Sequence, residues 1–119
     1  MEFKTISGPI NLVGIQYDGR QEVIKELQIE LELVPESGNR WDPNAINVLF
    51  QGKSIGFIPK TLAWTLKTDY LDKGYHLRAK LRSIESGWGI LQPVIEILSD
   101  APQEKTEAEK EIARKWGVL

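Results

Sequence analysis

Residues 38–48 read "GNRWDPNAINV", so Asn39, Arg40, Trp41, Asp42 and Asn44 crowd one short stretch before the chain turns apolar. These side chains are hydrogen-bond donors and acceptors set beside a ring that can stack. Two chemistries fit. Asn and Asp can bond the backbone two residues on while Pro43 fixes φ, which makes a rigid, self-satisfied turn. Alternatively, some of the polar groups are held for a ligand. Trp41 bears on the choice, because an indole between Arg40 and Asp42 has little apolar company in a turn and is expected at the surface. Asn39, Asp42 and Asn44 are hard oxygen donors, but the acidic density and terminal glutamate of a calcium loop are missing, so no metal site is expected.

Catalysis needs an oriented nucleophile or an acid–base pair. Asp42 and the single histidine, His76, are the candidates, and nothing in the pattern brings them together. No catalytic residue, no cofactor and no enzymatic activity are expected. The absence of cysteine removes disulfides, thiolate zinc sites and cysteine nucleophiles.

A second cluster lies in "YHLRAKLRS". His76, Arg78, Lys80 and Arg82 alternate with Tyr75, Leu77, Ala79 and Leu81, so the basic groups line one face of a strand. Tyr17, Arg20, Lys53 and Lys60 add further cations and a ring, and cations beside exposed rings are what a single-stranded nucleic acid needs. The same stripe also suits a solvated face whose charges pair across strands with Glu30 and Glu32. Fifteen basic against seventeen acidic residues give a net charge of −2, so a polyanion must be met by a local patch and not by the field of the whole protein.

The elements that must position these groups follow from periodicity. A chain of 119 residues, 41% hydrophobic and 27% charged, fits one domain. Leu27, Ile29, Leu31 and Leu33 alternate with polar residues, which predicts a half-buried strand over 24–34. "AINVLF" and "SIGFIP" read as a hairpin whose three-residue loop, "QGK", has Gly52 for positive φ. "INLVGIQY" is another strand, with Gly14 marking a bulge or a close approach. After Pro59, Leu62, Ala63, Leu66 and Tyr70 share one face of a helix that Gly74 ends. "YHLRAKLRSI" and "GILQPVIEIL" are two more strands, and Pro93 places the second at an edge or a bulge. Ala108, Ile112 and Trp116 predict an amphipathic C-terminal helix over about 103–116 that docks through Trp116.

The pattern is mainly β with two helices: a small OB-like or SH3-like β-barrel carrying one inserted and one C-terminal helix. One domain over 1–119 is expected, with its core at about 9–98. No run of ~18 apolar residues and no leader pattern are found, so a soluble, cytoplasmic protein without a membrane partner is expected.

Three ordered motifs, "LVGIQYDGR", "ESGNRWDPNAINV" and "GKSIGFIPKTLA", together resemble the HIRAN domain. This module belongs to chromatin-remodelling-type helicases and also stands alone in small bacterial and phage proteins. Gly14 and Tyr17 match its first motif. Asn39, Trp41, Asp42, Asn44, Ala45, Ile46 and Val48 match the second, and Ile55, Gly56, Pro59 and Ala63 the third. The resemblance implies an OB-like barrel that binds the 3′ end of single-stranded DNA in repair or replication. Tyr17 and Trp41 would stack on the terminal bases, Asp42 would accept a hydrogen bond from the 3′-hydroxyl, and Asn39 would support the loop. Gln16 stands where relatives tend to be basic, Trp41 where tyrosine is usual, and Phe57 where a polar contact can occur. Ile90 aligns nearest to a late-strand aromatic contact, with Trp88 close by.

The expected DNA-binding set is therefore Gln16, Tyr17, Asn39, Trp41, Asp42, Phe57, Lys60, Arg78, Lys80 and Arg82, in a monomer that serves a helicase or nuclease. The chain has no Walker-type phosphate loop, so it has no motor of its own. The competing expectation is a protein-interaction adaptor in which Trp41 anchors a partner peptide and the basic stripe only solubilises.

Overall fold

The structure, a computed structural model, describes residues 2–102. Its strands are β1 (Lys4–Asn11), β2 (Glu30–Pro35), β3 (Ile46–Phe50), β4 (Lys53–Phe57), β5 (Leu77–Gly87) and β6 (Ile90–Ser99). They form one six-stranded sheet in the order β1-β6-β5-β2-β3-β4, every neighbouring pair antiparallel. Beyond β1, Val13 bridges Phe57 of β4, each backbone N–H donating to the other residue's carbonyl at 2.9 Å. The two ends of the sheet thus meet, and the sheet curls into the half-barrel of an OB-like fold.

Inward positions of the strands fill this curl. Ile46, Val48 and Phe50 of β3 face Ile95 and Ile97 of β6 in one apolar core with Ile24 and Leu66. Each fully buried aliphatic side chain contributes roughly 1.5–3 kcal/mol. Closure depends on Gly56, whose φ is 146°: a Cβ there would lie 2.8 Å from the Val13 carbonyl oxygen.

Three boundaries differ from the sequence expectation. The β3–β4 hairpin turns on two residues rather than three, because Gln51 (φ 50°) and Gly52 (φ 79°) both take left-handed conformations and Phe50 pairs directly with Lys53. Such a turn matches the twist of its strands. The first strand lies earlier than "INLVGIQY": β1 ends at Asn11, and the chain turns at Gly14. A short helix, α1 (Arg20–Ile24), then precedes β2. Ile24, read as the start of the next strand, is instead the buried anchor of α1, while Ile29 lies outside β2 and is 58% exposed.

The inserted helix is present between β4 and β5. It runs as α2 (Lys60–Leu66) and continues into a π-helical turn, Lys67–Leu71, with Ala63 and Leu66 buried. The C-terminal helix expected over about 103–116 lies outside the described residues. Among the described residues no helix is long and apolar enough to cross a membrane.

Pro93 sits in β6, which is flanked by β1 and β5 and is not an edge strand. The two-residue turn at Trp88 and Gly89 makes Gly87 and Ile90 the closing bonded pair, so Ile84 and Pro93 face each other as a non-bonded pair. On the other side, pairing with β1 ends at Val94. The missing N–H therefore breaks no ladder bond. A register shift lies close by, between Leu81 and Ser83 of β5.

Where β5 begins and β6 ends, Asp100 clasps His76. Its Oδ1 accepts the His76 backbone N–H at 2.7 Å and its Oδ2 lies 2.8 Å from His76 Nδ1. The backbone hydrogen bond, then the imidazole contact, hold the Asp100 carboxyl below its usual range. A carboxyl lowered by folding stabilises above its unfolded value and loses that contribution as pH falls through the folded one. The protein should therefore melt above Asp100→Asn at pH values over about 4, and the gap should narrow as acid is added below that. A gap that stays constant from neutral pH to acid would assign the clasp to neutral hydrogen bonding alone.

Candidate nucleic-acid interface

The polar loop between β2 and β3 uses part of itself. Glu36 N–H donates to the Ala45 carbonyl at 2.8 Å, which pinches the loop shut. Asn39 Oδ1 accepts the backbone N–H groups of Trp41 and Asp42 at 2.9 and 3.1 Å. Asp42 Oδ1 in turn accepts the Asn44 N–H at 3.0 Å. These are the turn-forming bonds expected of Asn and Asp. The remainder faces outward: Trp41 is 83% exposed, with the Arg40 guanidinium 5.1 Å from its ring centroid. Among the described residues, nothing hydrogen-bonds Asp42 Oδ2. The loop therefore spends Asn39 Oδ1 and Asp42 Oδ1 on its own backbone and leaves the Trp41 ring at the surface.

A second loop, between Val13 and α1, presents Tyr17, 59% exposed, next to exposed Gln16. Arg20 folds back to hold it, donating from Nη1 to the Gly14 carbonyl at 2.6 Å. Its guanidinium lies 5.3 Å from the Phe57 ring centroid, and its Nε donates to Ser54 Oγ at 3.1 Å. Half-buried Phe57 is joined to this loop by the Val13 bridge, and exposed Lys60 follows at the head of α2. Phe57 also pairs with Asn47 of β3, the strand that leaves the Trp41 loop. The fold thus sets the Tyr17 and Trp41 loops at the β4 and β2 sides of β3.

The basic stripe stands apart from these loops, on β5, and its two arginines are already engaged. Arg82 Nη1 meets Glu96 Oε1 at 2.7 Å, and the Arg78 guanidinium lies 4.0 Å from the Phe3 ring centroid. Lys80 has Glu30 and Glu96 as its partners in register on the two flanking strands. Glu32 has no such partner, because β2 leaves β5 after Leu31. Beyond that point a groove opens between the two strands, with Arg78 and Lys80 on its wall.

Trp88 is fully exposed at the tip of the β5–β6 hairpin, and Ile90 is 40% exposed. Gln21 ties that hairpin to the Tyr17 loop, because its amide accepts the Leu91 N–H at 2.8 Å and donates to the carbonyls of Leu91 and Ile15 at 3.0 and 3.1 Å. Sequence reasoning listed Arg20 only as a free cation and passed over Gln21. Arg20 closes back on the Gly14 carbonyl, and Gln21 reaches across to Leu91, far along the chain; no local pattern reveals either contact.

A model of the HIRAN domain matches residues 7–89. The chain belongs to the HIRAN family. HIRAN is a DNA-binding domain family, and membership supports nucleic-acid binding by this chain. The crystal structure of a protein from Lactobacillus plantarum is similar at 24% identity and a TM-score of 0.63, over 82% of this chain and 98% of that one. The crystal structure of the HIRAN domain of human HLTF is similar at 18% identity and a TM-score of 0.55, over 91% of this chain and 84% of that one. At such identities the two structures speak for the fold. A search of curated proteins finds no match.

Proposed function

We propose that this HIRAN domain is a binding module, not an enzyme, that takes the free 3′-hydroxyl end of single-stranded DNA in repair or replication. It works as a cytoplasmic monomer that hands the end to a helicase or nuclease. The observation that carries this reading is the pairing of two exposed rings, Tyr17 and Trp41, on loops braced against one sheet, with an unpaired carboxylate oxygen of Asp42 beside the second ring. Stacking on the rings is sequence-tolerant, since every base has a π-face. Asp42 Oδ2 then accepts the terminal hydroxyl, and Asn39 keeps the loop in the shape that aims it. A carboxylate acceptor makes a stronger hydrogen bond than a neutral one and opposes a phosphate in the same place.

A titration of labelled single-stranded oligonucleotide at low salt tests the reading directly. Binding that requires a free 3′ end supports it; equal binding of circular strands leaves a generic single-strand binder. No binding to either supports the protein-interaction adaptor.

The salt dependence should be shallow. A module of net charge −2 whose two β5 arginines are engaged meets few phosphates. The log–log slope should correspond to about two to four phosphates at roughly 0.7 each. Lys60→Ala should lower the slope by about one phosphate, and Arg82→Ala by less, because its guanidinium is committed to Glu96. A larger drop for Arg82→Ala would route the strand over β5.

A further inference from the structure

The two loops of the site are joined by a continuous line of side-chain hydrogen bonds that converges on one acceptor, Glu36. Arg20 can only donate, and Glu36, as a carboxylate, can only accept. Between them, Arg20 Nε donates to Ser54 Oγ at 3.1 Å, and Ser54 Oγ donates to Asn47 Oδ1 at 2.7 Å. With its oxygen so occupied, Asn47 turns its Nδ2 to Glu36 Oε2, 3.4 Å away. The other oxygen of Glu36 receives Asn39 Nδ2, also at 3.4 Å. Asn39 is thereby forced to point Oδ1 at the Trp41 and Asp42 backbone, where it forms the bonds that shape the loop. At the opposite end, Arg20 Nη1 grips the Gly14 carbonyl at the base of the Tyr17 loop. Every bond of the line is part-buried, apart from the last at Trp41 N–H, and so is screened less by water than a surface contact.

We propose that Arg20, Ser54, Asn47 and Glu36 are positioning residues: a hydrogen-bonded relay that holds the Glu36 carboxylate where it orients the Asn39 amide, and so locks the Tyr17 and Trp41 loops into one rigid site. This deepens the end-binding reading and rests on it where ligand affinity is concerned. None of the four need touch the strand. Their role is to have the two rings and Asp42 in place before a ligand arrives, which removes an ordering cost from binding.

Two variants interrupt the relay at different points with little change of volume. Ser54→Ala removes the hydroxyl that both accepts and donates, and Ser54→Thr restores it. Glu36→Gln keeps the shape but offers an amide N–H where an acceptor is required, so the Asn39 amide loses its fixed orientation. In the free protein, backbone amide resonances of Trp41 and Asp42 should shift or broaden in Ser54→Ala and in Glu36→Gln, and return in Ser54→Thr. In both damaged variants, affinity for a 3′-hydroxyl oligonucleotide should fall about fivefold, as expected for one hydrogen bond's worth of order. Resonances of Trp41 and Asp42 that stay in place in both variants would overturn the relay. Displaced resonances in the two variants, together with a parent protein that binds no oligonucleotide, would uphold the relay and overturn the end-binding function instead.

Discussion

An oligonucleotide ending in a 3′-phosphate should bind this domain about tenfold more weakly than the same strand with a 3′-hydroxyl, a difference of ~1.4 kcal/mol. The argument rests on Asp42. Oδ1 accepts the Asn44 N–H at 3.0 Å, which holds the carboxylate in the loop and, among the described residues, leaves Oδ2 without a hydrogen-bond partner. A hydroxyl donates to it; a phosphate cannot when ionised, and it brings like charge to a carboxylate that the loop does not allow to swing away. A 5′-phosphate, at the far end of the strand, should matter little. Asp42→Asn should narrow the difference, because the amide retains an acceptor, adds donors and removes the repulsion. Competition between the two oligonucleotides against one fluorescent strand measures both quantities. Equal affinity of the parent for the two ends would remove Asp42 from end recognition.

Part of the barrel was legible in the sequence because β3 and the first half of β5 alternate strictly. β3 buries Ile46, Val48 and Phe50, and β5 turns Leu77 and Ala79 inward while Arg78 and Lys80 face out, as the period of two requires. The boundaries that moved were those where apolar residues serve two periods at once. Leu27 extends the alternation of β2 backward, yet it also lies three residues after Ile24 and four after Val23; Ile24 is buried on α1, and Leu27 packs half-buried against the same core outside β2. Pro93 points to an edge or a bulge, and the physical cause holds but is local: the strand is interior, a register shift lies close by in β5, and the Pro93 nitrogen has no ladder partner to lose. In the site, the exposed rings and the turn chemistry of Asn39 and Asp42 followed from residue type. The bonds from Arg20 through Ser54 and Asn47 to Glu36 did not, since they join four elements distant in the chain and depend on the register of β2, β3 and β4.

Replacing Trp41 with Ala should cost ~1–3 kcal/mol of binding, the usual worth of one base stacked on an aromatic ring, and leave the fold intact. The ring is 83% exposed and, among the described residues, belongs to no apolar cluster, so its removal opens no cavity there. Its backbone N–H, which Asn39 Oδ1 holds at 2.9 Å, survives the substitution, and the loop keeps its shape. An exposed change away from caps and core moves stability by only about ±0.5 kcal/mol, so melting of the variant should track the parent closely. Trp41→Tyr should recover most of the affinity, because a phenol ring still offers a stacking face. The loss should also be larger for short strands than for long ones, since in a short strand the terminal stack is a greater share of the contacts. Binding must be read by anisotropy of a labelled oligonucleotide rather than by indole emission alone, because Trp64 and Trp88 are exposed as well and add their own signals. A variant that melts far below the parent would make Trp41 a structural residue of the loop. One that binds as tightly as the parent would move the base contacts to Tyr17 and to the hairpin tip at Trp88.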